Sequence, residues 1–224
     1  MQIKLSNYNC NNYKFIYLDT FLMNLFLHVV TQTSKMYEYT KVIKHSDRRN
    51  TDMAKNLIIY YSRKGENYVN GNIEKLAKGN TEICAEYIQK AVGGDLFEIE
   101  TVTEYGESYR ACVEEAKKEW QENARPELKT YLKDIAAYDN IYVCGPCWCG
   151  TYPMAVFAQL EKLDFTGRKV MGLMTHEGSG LGSSEQGLKK ACKGAIFGTS
   201  LAIHGAEAKA SEQKIAEWAV RNIG

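Results

Sequence analysis

From residue 53 onward, short apolar runs alternate with longer stretches whose apolar positions recur at helical spacing. LIIYY (57–61) is a continuous apolar run, the form expected of a strand buried on both faces. Residues 81–92 then place Ile83, Tyr87, Ile88 and Val92 on one helical face. DLFEIE (95–100) reads as a second strand, and residues 107–122 as a strongly charged helix with Tyr109, Val113, Ala116 and Trp120 inward. NIYVCG (140–145) is the third strand, and Pro153 suits the first turn of a helix carrying Val156, Phe157, Leu160 and Leu163. KVMGLMT (169–175) is the fourth strand, followed by a glycine-rich HEGSGLG and a helix over 184–193. IFGTSLAIHG (196–205) supplies a fifth strand. Ser211 is expected to cap a last helix with Ile215, Trp218 and Ala219 on one side. Five strands alternating with helices predict an α/β fold on a parallel sheet with right-handed crossovers.

The pattern differs before residue 53. Residues 1–52 carry Asn-rich and basic stretches around one apolar patch, FIYLDTFLMNLFLHVV (15–30), which Asp19 and Asn24 interrupt. The domain division expected is therefore an N-terminal extension over 1–52 and a single domain over 53–224. The extension reads as an added helix or poorly ordered tail in preference to a signal peptide or anchor. A further reading takes Met53 as the natural start, because MAKNLIIYYS opens a domain whose first strand begins within four residues.

Composition narrows the function classes. The chain has 224 residues, 45% hydrophobic and 25% charged with 3 prolines, which suits a globular fold. Some 170 residues bury roughly 70% of the surface their unfolded chain exposes, so neither disulfide nor metal is needed. A net charge of +1 without a dense Lys/Arg stripe argues against nucleic acid as a partner. The seven cysteines are odd in number and irregularly spaced, which points to reduced thiols and a cytoplasmic location. No uncharged apolar run is long enough to span a membrane, so no stable membrane association is expected.

In an open parallel sheet, ligands bind beyond the carboxyl ends of the strands where strand order reverses. Three segments leave such ends: 62–81, GPCWCGTYP (145–153) and THEGSG (175–180). The first has 20 residues, far more than the usual connection, and closes on Asn80-Thr81 at a helix start. Free N–H groups and the positive dipole end there make a phosphate site, with Ser62 and Thr81 hydroxyls as added donors. The plainer reading is that Asn80 or Thr81 is simply an N-cap. The segment lacks GxxxxGK[ST], which excludes a P-loop triphosphatase.

YYSRKGEN, GNTE, GDLFEIE, RPELK, GPCWCGTYPM and THEGSGLGSS, in this order, resemble the flavodoxin family, especially its bacterial single-domain branch with a long phosphate loop. The likeness covers about residues 55–223. It implies a doubly wound five-stranded sheet in the order 2-1-3-4-5, with FMN as cofactor at the switch between strands one and three. It further implies that Ser62, Arg63, Asn80 and Thr81 hold the FMN phosphate, and that Asn67 and Tyr68 close over it. Pro146, Trp148 and Gly150 match the loop that lines the ribityl chain and flavin ring; Thr175, His176, Gly178 and Gly180 match the loop beside the pyrimidine edge. Trp148 is expected to stack on the ring, with core filling the lesser alternative; His176 can hydrogen-bond the flavin, or equally face solvent.

Two features depart from the family pattern. Cys147 and Cys149 replace bulky residues of the second loop and, with Cys144, form a CxxCxC cluster. Small structural thiols are the favoured reading over dithiol redox chemistry or zinc. Charge is the second departure: residues 1–52 hold 7 of the 28 basic and 4 of the 27 acidic side chains, leaving 21 against 23. That balance is mild for a carrier steered to its partners by an acidic surface. The functions expected are electron transfer through FMN to a redox partner protein or small-molecule acceptor, or a small NAD(P)H-dependent quinone-type reductase. A flavin-free binding module is a further alternative. A phospho-receiver is excluded, because Ser62-Arg63 and Gly145-Pro146 stand where it needs acidic residues.

Overall fold

The computed structural model describes residues 54–223. The readings made for 1–52, including the apolar patch at 15–30, and the Met53 start lie outside the described residues.

Asn56–Tyr60 (β1) is buried along its whole length, and this places it centrally in the sheet. It pairs in parallel with Asp95–Glu98 (β4) on one side and with Asn140–Pro146 (β5) on the other. Lys169–His176 (β6) follows beside β5, and two short strands, Ile196–Phe197 (β7) and Leu201–His204 (β8), both pair with β6. The order β4-β1-β5-β6-β7/β8 is the 2-1-3-4-5 order expected from the sequence, and it reverses between β1 and β5.

Successive strand residues point to opposite faces, so each face has its own core. Ile58, Tyr60, Tyr142 and Cys144 pack with Cys84, Ala85 and Ile88 of Asn80–Val92 (α1) and Ile215 and Trp218 of Glu212–Arg221 (α5). Leu57, Ile59, Ile141 and Val143 pack with the buried helix Met154–Leu160 (α3) and with Leu188 of Ser184–Ala191 (α4). Each fully buried Leu, Ile or Val contributes about 1.5–3 kcal/mol of hydrophobic free energy.

Four local expectations are corrected. Residues 62–81 do not form one loop: Gly65–Val69 (β2) and Asn72–Leu76 (β3) make an antiparallel hairpin. Its two-residue turn is Asn70-Gly71, with φ of 51° and 92°, the left-handed pair that a type I′ turn requires. Second, the helix Tyr109–Gln121 (α2) buries Cys112 and Ala116, while Val113 and Trp120 are 39% and 49% exposed. Ala116 is inward as expected and Tyr109 is half-buried; the small Cys112 and Ala116 let the helix approach the body, and Val113 and Trp120 are left on its outer side. Third, the fifth strand is split at Gly198–Ser200. Asn222 Oδ1 accepts the Thr199 N–H there at 3.1 Å and takes a bond that a strand neighbour would have taken. Fourth, the Ser211 hydroxyl donates back to Glu207 O at 2.9 Å and does not cap α5.

Candidate functional site

The site begins where β1 ends. Gly79 is the N-cap of α1 in extended backbone, with no side chain to cap the helix. Ser62 supplies the cap from the other end of the hairpin: its Oγ accepts the Glu82 N–H at 3.0 Å. A Cβ on Gly79 would stand 2.1 Å from that Oγ and 2.6 Å from Arg63 O, so only glycine lets helix and strand end meet this closely. The first-turn N–H groups of Asn80 and Thr81 find no acceptor among the described residues. Thr81 and Thr175, both buried, hold their hydroxyls 2.7 Å apart. One hydrogen lies between the two oxygens and the other remains for a ligand. The Ser62 hydroxyl, an acceptor here, likewise keeps its own hydrogen. Ser62, Asn80, Thr81 and Thr175 thus form one cradle of donors at the positive end of a helix.

The remaining residues expected in the first segment are placed otherwise. Arg63 donates through Nε to Glu66 O at 3.2 Å and through one terminal nitrogen to Gly106 O and Glu107 O, each at 2.9 Å. Asn67 Nδ2 donates to Arg63 O and Gly65 O. Tyr68 stacks on Tyr109, with ring centroids 6.0 Å apart and planes 26° from parallel. These three brace the hairpin and the start of α2.

The second loop leaves β5 at Pro146. Trp148 and Thr151 exchange both backbone hydrogen bonds, at 2.8 and 3.0 Å, across a tight turn with Cys149 at φ 50° and Gly150 at φ 77°. Trp148 is half-buried and meets Tyr61 and Tyr105 edge to face, at centroid distances of 5.3 and 5.0 Å. Tyr152, fully buried beneath this turn, directs its hydroxyl at Val143 O and Leu173 O, each 3.3 Å away. A Cβ on Gly145 or Gly172 would come within 2.6 or 2.8 Å of Tyr152, so glycines on β5 and β6 make the slot it occupies.

The third loop is tied to the second. Cys147 N–H donates to Thr175 O at 2.8 Å, Ser179 Oγ donates to Cys147 Sγ at 3.0 Å, and Ser183 bonds Gly150 O through its N–H and hydroxyl. Gly178 and Gly180 have φ of 128° and 59°, and the Gly178 N–H donates to His176 Nδ1 at 2.9 Å. Partial burial and the neighbouring His204 ring hold His176 below the ordinary imidazole pKa.

Burial also sets the state of the thiols. Cys144 is pushed well above the ordinary thiol pKa, and Cys84 up to about 12. Exposed Cys149 is raised as well, by burial of its sulfur and then by Cys147. A thiol must ionise to act as a nucleophile, and these environments hold it protonated. Sequence reasoning passed over Tyr61, Tyr105, Gly79 and Glu177, although the Asn-Gly pair at 70–71 was a readable sign of the hairpin that bonds Glu177.

A family model described as Flavodoxin matches residues 74–222. The chain belongs to the flavodoxin family. Its fold recurs in solved structures of low identity. A candidate flavoprotein from Bacteroides uniformis is 24% identical over 75% of this chain and 98% of its own, with a TM-score of 0.58. One from Bacteroides eggerthii is also 24% identical, over 73% and 99%, with a TM-score of 0.56. A flavoprotein from Lactobacillus acidophilus, solved in complex with FMN, is 18% identical over 74% and 99%, with a TM-score of 0.52. A comparison with curated proteins found no match. The residues matched to the flavodoxin family open within β3, so Ser62 and the hairpin turn precede them. Among the described residues, no helix is long and apolar enough to cross a membrane.

Proposed function

We propose that this flavodoxin-family chain binds FMN at the carboxyl ends of β1, β5 and β6 and transfers electrons through it. The observation that carries the reading is the cradle of Ser62, Asn80, Thr81 and Thr175 at the start of α1. A phosphomonoester needs several donors and a positive potential, and a capped helix start with free N–H groups offers both. The fold shared with the FMN-bound flavoprotein of Lactobacillus acidophilus supports the same choice of ligand.

Bound FMN supplies reversible electron transfer, and the chain supplies place and surroundings. Ser62 and Thr81 donate hydroxyl hydrogens to the phosphate, beside the N–H groups of Asn80 and Thr81. Arg63 keeps the strand end rigid through the 106–107 carbonyls. Pro146, Trp148 and Gly150 of the second loop and His176, Gly178 and Gly180 of the third would hold the ribityl chain and ring, while Thr175 stands behind Thr81 in the cradle. Trp148, Tyr61 and Tyr105 form an apolar wall that excludes water and disfavours added negative charge beside it.

The test is titration of flavin-free protein with FMN, followed by flavin fluorescence. Saturable quenching at one FMN per chain is expected, weakened in Thr81→Val; protein that stays colourless and leaves the fluorescence unchanged would sink the reading. A redox titration of the loaded protein, alongside its NAD(P)H oxidation rate, then separates a carrier serving a redox partner from a small reductase.

A further inference from the structure

The hairpin crosses the carboxyl end of the sheet. Near its base, Arg63 binds the carbonyls of Gly106 and Glu107, and Glu66 Oε2 accepts the Tyr109 N–H at 3.0 Å. All three partners follow the edge strand β4. The tip is held on the other side, where the Asn70 N–H donates to Glu177 Oε2 at 2.8 Å, and Glu177 follows β6. In sheet order β1 and β5 lie between these two anchorages, and their ends carry Ser62 and Pro146. The hairpin is therefore a strap that spans the strand ends where the cradle and the second loop begin.

A two-stranded hairpin is marginal by itself, so its position depends on its fastenings. The base has several, and β3 is almost wholly exposed. At the tip, the Asn70–Glu177 bond joins residues 107 apart in the chain. Glu177 is itself closely placed. His204 Nε2, at the end of β8, lies 3.6 Å from Oε2. Oε1 is buried with no hydrogen-bond partner. A Cβ on Gly205 would stand 2.3 Å from Oε1 and 2.9 Å from Asn80 Nδ2, so the carboxylate shares this corner with the first residue of α1. An unmet buried carboxylate oxygen costs stability, and a folded protein that keeps one calls for an explanation.

We propose that Glu177 is a positioning residue: it fastens the strap across the cradle and thereby governs release of the phosphate end of FMN. This rests on the FMN reading above. It is tested first on flavin-free protein, by hydrogen exchange of the 65–76 amides, and then by the FMN dissociation rate. Glu177→Ala is expected to speed both by about tenfold or more, the worth of a hydrogen bond to a charged acceptor. Glu177→Gln keeps an acceptor oxygen for Asn70 and is expected to stay within about threefold of the parent. Gly205→Ala pushes the same carboxylate from another element and is expected to act like Glu177→Ala, which guards against a folding defect peculiar to one variant. Unchanged exchange in both Glu177→Ala and Gly205→Ala would overturn the strap. Faster exchange with an unchanged FMN dissociation rate would overturn its control of release. Failure of the parent to bind FMN would overturn the cofactor reading alone, since the exchange data stand without it.

Discussion

Gly79 sets how closely α1 can approach the end of β1. A methyl group there meets Ser62 Oγ and Arg63 O at once, and Arg63 O is backbone. Gly79→Ala is therefore expected to cost about 1–3 kcal/mol of stability and to weaken FMN binding as the first turn moves away. Denaturant unfolding and the FMN titration measure the two effects separately. The Thr81–Thr175 pair tests the cradle in another way. Thr81→Val leaves a buried hydroxyl without its partner and is expected to cost about 1–3 kcal/mol. The double variant with Thr175→Val should cost clearly less than the sum of the two single changes, because neither hydroxyl is then orphaned. Strict additivity would show that the 2.7 Å contact carries no coupling.

His176 gives a pH dependence with a defined sign. Its folded pKa is depressed, so below about pH 6.5 the unfolded chain takes up a proton that the folded chain resists. The contribution to stability is thus present above that pH and lost as pH falls through the folded pKa. The melting temperature of flavin-free His176→Gln should fall less on acidification than that of the parent. At this scale the sequence exposed the cradle because hydroxyls and glycines follow three strand ends. It hid Glu177, Tyr61 and Tyr105, whose partners are fixed only by tertiary packing.

The helix α2 shows how a correct element can carry a wrong face. Of its expected inward stripe of Tyr109, Val113, Ala116 and Trp120, Ala116 is buried, but Cys112 joins it in place of Val113 and Trp120. Hydrophobic spacing reports which residues share a side, and steric fit decides which side is pressed inward. Val113→Thr and Trp120→Gln are accordingly expected to change stability by no more than about 0.5 kcal/mol. Ala116→Leu should cost about 1–3 kcal/mol through overpacking. Chemical denaturation of the three variants decides between the faces. The hairpin was missed for a different reason: β3 is exposed on nearly all its residues and lacks the apolar run that marks a core strand. Only its turn chemistry was available to read, in Asn70 and Gly71.

For the whole molecule, the order of the strands was legible because β1, β5 and β6 are apolar on both faces and must lie inside. The split of the last strand was not, since it depends on Asn222 arriving from the far end of the chain. The two cores flank one sheet, so damage to a central strand is felt on both sides. Gly172→Ala tests this, because its methyl group would meet the Tyr152 hydroxyl at 2.8 Å and Leu188 at 2.9 Å. A loss of about 1–3 kcal/mol, read by thermal or denaturant unfolding, is expected.

Tyr152 also bears on how the second loop can change. The tyrosine is clamped between two glycine-bearing strands and bonds their carbonyls, so the turn above it is located from below. Cys147 and Cys149 contribute less to that anchorage: Cys149 is exposed, and Cys147, half-buried against the core, accepts one side-chain hydrogen bond, from Ser179. The loop's address is written in the core while its lettering stays on the surface. Residues 147 and 149 are therefore where variation can change the chemistry of the proposed flavin site without moving the frame beneath it.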